Sequence, residues 1–214
     1  MYRHSYSCGE HYGRRTFECG RYRGDAARRL VEPRGAPPGA GGGRDAGAQV
    51  ELLDLRELAL PMYEPGKPLA EYGDGARRLV EAMRGADALI LSTAAYHGTL
   101  AGVTKNALDF AQFLSRDERP YFDGKVVGII VTAGGEMAGA NTTGALVNVV
   151  HALRGTVAPL MVAVPQAWER SDGDGNITHD GYGGRLEALG RLVVDLASRL
   201  GLEEGAGPVL GASA

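Results

Sequence analysis

Residues 92–110 gather the groups best suited to meeting a ligand. The run is Ser92-Thr93-Ala94-Ala95-Tyr96-His97-Gly98-Thr99-Leu100-Ala101-Gly102-Val103-Thr104-Lys105-Asn106-Ala107-Leu108-Asp109-Phe110. Small side chains let a backbone approach a flat ligand, and Tyr96 offers a ring face and a hydroxyl. A helix starting near Gly102 would turn its free N–H groups toward the same crevice. Taken alone, the pattern is equally that of an ordinary loop between a strand and an amphipathic helix. A second loop, Thr132-Ala133-Gly134-Gly135-Glu136-Met137, follows another apolar run. A pair of glycines after a strand is most often just a turn.

The remaining candidates are weaker. No G-x-G-x-x-G follows a strand, and no G-x-x-x-x-G-K is present, so neither a dinucleotide fold nor an NTPase is supported. Asp172-Gly173-Asp174-Gly175-Asn176 resembles a calcium loop, but Ile177 and Gly183 stand where it needs a glycine and a glutamate. It reads as a plain turn. His97, His151 and His179 have no metal-ligand spacing, and no metal is expected. Lys105 and Asp109 lie one helical turn apart and read first as a surface ion pair. Met137 and Met161 read as core or rim. No His/Asp/Ser constellation marks a general acid or base, so no catalytic side chain is assigned.

Regular elements must hold the two loops in place. Val50–Leu55 reads as a strand. Leu69–Met83 reads as a helix with Leu79, Val80 and Met83 on its apolar face. Ala88-Leu89-Ile90-Leu91 is a short apolar run of the kind buried on both faces of a sheet. Val103, Ala107, Phe110, Ala111 and Leu114 recur at helical spacing. Val126–Val131 is a second buried strand, and about Thr142–Leu153 a helix. Val157–Val164 is a strand whose Pro159 argues for a bulge or an edge. Leu186, Leu189, Val193, Leu196 and Leu200 stripe a last helix, and the small, Gly-rich tail beyond it reads as frayed. Strand and helix alternate throughout, which argues for a parallel sheet covered on both faces. In such sheets ligands bind at the carboxyl ends of the strands.

The chain has 214 residues, enough for one such domain and short for two. No apolar run is long enough to span a membrane, and no apolar stretch follows Met1-Tyr2-Arg3-His4 to suggest a signal peptide. With only Cys8 and Cys19, a disulfide framework is not expected and a reducing cytoplasm is the simplest home. The net charge of −3 conceals a split: residues 1–48 carry nine Arg and five acids, so the remainder is markedly acidic.

Thr93-Ala94-Ala95-Tyr96-His97-Gly98-Thr99 followed by Lys105-Asn106-Ala107-Leu108-Asp109 resembles the signature of the NAD(P)H-dependent FMN reductase family, flavodoxin-like flavoproteins. That family's loop runs roughly Ser-Pro-x-Tyr-x-Gly-Ser into a helix with Lys-Asn-x-x-Asp. Ala94 stands in place of the usual proline, which loosens the loop. The resemblance covers about residues 49–200. It implies a flavodoxin-like α/β three-layer sandwich with a parallel sheet. It implies FMN and NAD(P)H as cofactors, and hydride transfer onward to a flavin, quinone or other small acceptor. Ala94, Ala95, Tyr96, His97, Gly98 and Thr99 would then bind the flavin ring, with Ala133, Gly134 and Gly135 at its polar edge. It also implies a homodimer or homotetramer, with the Lys105–Asp109 helix near a subunit contact. The rival of another class is a flavodoxin-like electron carrier without enzymatic activity.

Residues 1–48 do not fit. In that family the first strand leads into a phosphate-binding loop of the form Gly-Ser/Thr-x-Arg-x-x-Ser-x-Ser/Asn. Here Leu30 and Val31 are the only branched aliphatic residues before Val50, and ten glycines crowd the segment. No buried strand and no phosphate loop is readable. Three accounts stand. The segment is translated out of frame, since the codons of Cys19–Glu32 read one base along can give Gly-Thr-Leu-Arg-x-x-Ser-x-Ser. Or it is a disordered basic tail, with Arg interleaved with Tyr2, Tyr6, Tyr12, Phe17 and Tyr22, touching RNA or DNA. Or it folds unusually and still completes the site. Nucleic acid is not the expected partner, and a chain inactive because its phosphate loop is lost is a further alternative to the enzyme. The domain reading is therefore an atypical segment 1–48, a flavodoxin-like domain 49–201 and a tail 202–214.

Overall fold

A computed structural model of the chain describes residues 17–23, 27–28, 48–170 and 180–202. The calcium-like run 172–176, Cys8, His179 and the tail beyond Leu202 lie outside the described residues.

The chain enters with strand β1, Phe17–Arg23, and a two-residue strand β2, Ala27–Arg28, paired back onto it. Strand β3, Gln49–Leu53, ends at Asp54, which caps helix α1, Leu55–Leu58. The buried Asp54 carboxylate accepts the Arg56 amide at 2.9 Å and its guanidinium at 2.6 Å, satisfying a helix N–H and a charge together. A short 3-10 turn over Leu69–Tyr72 precedes helix α2, Asp74–Gly85. Then follow strand β4, Ala88–Tyr96, the short β5, Thr99–Leu100, and helix α3, Gly102–Asp109, which tightens into a 3-10 turn over Phe110–Leu114. Strand β6, Val126–Ala133, helix α4, Glu136–Ala152, strand β7, Thr156–Pro165, and helix α5, Asp180–Leu202, complete it.

Strand β6 is buried along its whole length, and β4 over its first seven residues. Apolar runs without alternation are what a strand covered on both faces requires. Alternate residues feed two cores. Leu89, Leu91, Val127 and Ile129 meet Leu79 and Met83 of α2, Leu108 and Leu114 beyond it, and Leu146 and Val150 of α4. Ala88, Ile90, Val126 and Ile130 meet Leu186, Leu189, Val193 and Ala197 of α5. Each large apolar side chain so buried contributes about 1.5–3 kcal/mol. The layers are helix, sheet and helix, as the alternation of elements required.

The strands lie in the order β3-β1-β4-β6-β7. β4, β6 and β7 are mutually parallel. β1 occupies the place between β3 and β4 and runs antiparallel to both, with Phe17 opposite Leu53, and Glu18 opposite both Leu52 and Ile90. Two expectations are corrected here. A strand does form within residues 1–48, because backbone N–H and C=O groups along the inner edges of β3 and β4 need partners whatever side chains the partner carries. And the sheet is not wholly parallel, since that strand is reversed. Pro159 lies where expected: the register of β7 against β6 slips between Val127 and Ile129, and among the described residues β7 pairs with β6 alone. Helix α4 begins at Glu136 rather than near Thr142. Its first turns, Met137-Ala138-Gly139-Ala140, carry little apolar periodicity, but Gly139 lets the helix come close to β6 and β7, within 3.3 Å of the Ala163 Cβ for an added methyl.

Candidate functional site

The carboxyl ends of three adjacent strands bring the sequence-derived loops together. Ala94 pairs with Thr132, Thr132 with Val164, and Ala133 with Pro165. The chain therefore leaves β4, β6 and β7 at neighbouring points along one rim of the sheet.

The first loop is a tight hairpin. Ala95 pairs with Leu100 and Tyr96 with Thr99, which leaves His97 and Gly98 as its two central residues. Both adopt positive φ, 50° and 86°. Two left-handed residues in succession make the turn that best matches the twist of paired strands, and glycine fills the second position without strain. A methyl added at Gly98 would meet nothing within 4 Å, so its backbone faces open space. Tyr96 is 36% exposed, and His97, Gly98 and Thr99 are exposed with it. Ala94 is buried and Ala95 half-buried, so they anchor the hairpin rather than line it.

A buried polar latch holds the hairpin. The Ala101 amide donates to the Ala94 carbonyl at 3.0 Å and to the Thr93 hydroxyl at 3.2 Å. The Thr93 and Thr104 hydroxyls lie 2.9 Å apart, both almost fully buried. The turn is thus tied at its base to β4 and to the first residues of α3. Asn106 ties a second piece of the rim. Its side-chain amide donates to the Pro61 carbonyl at 3.0 Å, and its carbonyl accepts the Tyr63 amide at 2.9 Å. The loop after β3 is so fixed beside α3, with Tyr63 edge-on to Phe110 and stacked near Tyr72. Burial, reinforced by Tyr72 and Asp109, holds the Tyr63 phenol above its ordinary pKa, so it stays a neutral hydroxyl. Lys105 and Asp109 form the exposed i,i+4 ion pair their spacing predicts.

The second loop is the turn from β6 into α4. Ala133 is buried, whereas Gly134 is exposed. Gly135 caps α4 with no side chain of its own, and a methyl there would meet nothing within 4 Å. The first amides of this 17-residue helix are accordingly bare backbone next to the hairpin. A third loop joins them. The Ala167 amide donates to the Ala133 carbonyl at 3.2 Å, and the half-exposed Trp168 ring lies 3.4 Å from where a Gly134 side chain would begin. A methyl at 134 would meet the indole in ordinary van der Waals contact, so the ring lies directly over this stretch of backbone. Met137, 76% exposed, stands on the same turn.

All nine sequence-derived positions, 94–99 and 133–135, therefore share one rim. Thr93, Thr104 and Asn106 lie within the run that the sequence marks but have no role assigned there, and Trp168 lies outside it. The first three have a faint signal, polar residues inside otherwise apolar helix and strand patterns. Trp168 has none, because its proximity arises only from the pairing of β6 with β7. No cluster of metal-ligating side chains occurs among the described residues. Nor is any described helix long and apolar enough to cross a membrane.

The rim suits one half of a flavin nucleotide. Open glycine backbone at Gly98 and Gly135, with the aromatic side chains of Tyr96 and Trp168 beside it, has the shape a flat ring system needs. Among the described residues the phosphate half is not matched. A phosphate in such a sheet sits on backbone amides where a strand passes into a helix, at the carboxyl ends of the strands. Because β1 is reversed, the chain leaves it at Arg23 beyond the Gly20–Ala88 pair, at the opposite end of the sheet.

Comparison with known proteins identifies the family. The family described as NADPH-dependent FMN reductase matches residues 26–169. The chain is similar to the FMN-dependent NADPH-azoreductase of Staphylococcus aureus, 31% identical over 69% of this chain and 75% of that protein. It is also 33% identical to an NAD(P)H-dependent FMN reductase of Pseudomonas aeruginosa, over 44% of this chain and 48%, about half, of that protein's length. Among solved structures, the fold is similar to the flavoenzyme NAD(P)H:acceptor oxidoreductase FerB of Paracoccus denitrificans. The TM-score is 0.53 at 23% identity, covering 75% of this chain and 86% of that one.

Proposed function

This chain belongs to the NADPH-dependent FMN reductase family, and from that premise we propose that it moves hydride from NAD(P)H by way of FMN to a small acceptor: a flavin, a quinone or an azo compound. FMN, when bound, supplies the hydride-accepting ring. The residues of the chain bind and orient that ring and keep water from one face. Gly98, Gly134 and Gly135 offer backbone against it, Ala94, Ala95 and Ala133 set the ends of the strands, and Tyr96, His97 and Thr99 form the hairpin wall. Tyr96 and His97, with Trp168 across the rim, bound the space left for nicotinamide and acceptor. The observation that carries this reading is the left-handed hairpin at His97–Gly98, held beside the Gly134–Gly135 turn at adjacent strand ends. No side chain need donate or accept a proton for hydride transfer, which suits a rim without an acid–base pair.

The test is NAD(P)H oxidation by the purified chain with FMN in excess and a quinone as acceptor. Tyr96→Ala removes one ring face, an effect of about 1 kcal/mol, so flavin affinity falls about fivefold with the fold intact. Unchanged affinity and turnover in Tyr96→Ala would refute the assignment. NAD(P)H oxidation sustained over many equivalents with the quinone present separates an enzyme from an electron carrier, which takes no hydride from NAD(P)H. The family resemblance further supports a homodimer in the cytoplasm, with α3 near the contact. Exposed Val103 on that helix is where a second copy would bury apolar surface, and light scattering on the purified chain reads the mass.

A further inference from the structure

We infer that the codons for about residues 19–43 carry, one base along, the central parallel strand and the phosphate-binding turn that the site requires, so that the chain as written holds the flavin ring half-site without its phosphate half. This rests on the flavin reading above. Three observations on different levels meet here.

The first is the sheet. The place between β3 and β4 is the point where the strand order reverses, and ligands in such sheets bind beside the carboxyl end of that strand. The strand filling it runs the wrong way, so the chain leaves it at the end of the sheet away from the rim. The second is the family match, which begins at residue 26: it leaves β1 out and takes in residues 26–43 in the frame as written, so it supports the inference for the strand alone. The third is the genetic code. Cys19 supplies G and a pyrimidine, Gly20 then supplies G, and the shifted codon can only be Val or Ala. Tyr22 followed by Arg23 gives Ile or Thr when the arginine codon begins with C. Asp25 followed by Ala26 gives Thr or Met, and Glu32 followed by Pro33 gives Ser or Asn. With third bases chosen within the code, Cys19–Glu32 reads Val-Gly-Val-Ile-Gly-Gly-Thr-Leu-Arg-Ala-Gly-Ser-Ser-Ser.

That string has the physics the present one lacks. Val-Gly-Val-Ile is a run fit for burial on both faces between β3 and β4. Gly-Gly-Thr and Ser-Ser-Ser offer close backbone amides and hydroxyls to a phosphate, and the arginine pairs with its charge. Placed in the same slot but parallel, the strand would deliver this turn to the rim beside the Tyr96–Thr99 hairpin. The frame returns before Val50, since Val50–Leu53 already pair as β3 in the frame as written.

The experiment compares two proteins, the chain as written and one whose gene carries two compensating single-base edits bracketing codons 19–43. Each is titrated with FMN and with riboflavin, which has the same ring and no phosphate. The chain as written should bind the two within about threefold of each other. The restored chain should favour FMN on the order of a hundredfold, as several charge-assisted hydrogen bonds would give. Equal binding of both flavins by a folded restored chain overturns the inference, as does strong FMN preference by the chain as written. Should the restored protein not fold, the gene itself decides: an Asp in place of the Gly20 or Arg21 codon in the shifted frame, or a stop at Leu30 or Val31, overturns it, and an open apolar strand followed by Gly, Thr and Ser upholds it. FMN preference restored without NAD(P)H oxidation would refute the proposed activity and leave this inference standing. Binding of an RNA oligonucleotide by the chain as written, lost on restoring the frame with no gain in FMN preference, would favour a basic tail instead.

Discussion

The rim built by β4, β6 and β7 and the slot filled by β1 lie in one sheet, yet they are specified in different ways. In β4 and β6 the side chains demand the position: apolar residues on both faces, and at the strand ends small residues and hydroxyls that fold the backbone into a defined turn. In β1 the sequence has no such apolar run, and its place is described by the backbone ladder. Phe17–Arg23 meets two inner strand edges that need hydrogen-bond partners and takes them in the antiparallel sense. A sheet edge accepts almost any extended segment, because its ladder is made of peptide groups. Function is less tolerant, since the direction of the central strand decides to which end of the sheet the next turn is carried.

The comparison can be pressed at both places. The largest effect is expected at Ile129→Ala in β6, a fully buried side chain against α2 and α4. It should cost about 2–5 kcal/mol of stability, read by urea unfolding. Close behind is Gly20→Pro. Gly20 faces Val50 on one side and Ala88 on the other, and proline there removes a ladder donor at a cost of about 3 kcal/mol. Unaltered stability would show that the slot does not hold β1. Smaller again is Thr93→Val, which leaves the buried Thr104 hydroxyl without its 2.9 Å partner. It should cost about 1–3 kcal/mol and loosen the hairpin, so that flavin affinity falls with it. Loss of stability with full flavin affinity would detach the latch from the site.

Much of this was legible in the amino-acid sequence. Ala88–Leu91 and Val126–Val131 read as buried strands by their unbroken apolar runs, and Val157–Val164 as a strand whose Pro159 marks the irregular edge. The hairpin was legible because its residues are unusual together: a tyrosine and a glycine among small residues, ahead of Lys105-Asn106. β1 was not, because Phe17-Glu18-Cys19-Gly20-Arg21-Tyr22-Arg23 has neither an apolar run nor strict alternation. Its position follows from the needs of β3 and β4, which are some thirty and seventy residues away in sequence. The early start of α4 was hidden by small residues whose value lies in close packing on β6 and β7. Trp168 was hidden for the opposite reason: nothing in its own neighbourhood says that Gly134 lies beneath it.

The claim at the centre of this account is that the flavin ring lies across the strand ends at 94–99 and 133–135. Hydrogen exchange with saturating FMN tests it residue by residue. The account expects amides of Ala95–Thr99 and Gly134–Met137 to slow on FMN addition, with little change where β1 ends at Arg23 on the far side of the sheet. Flavin binding that slows other loops, and leaves the hairpin and the Gly134–Gly135 turn as they were, would contradict it.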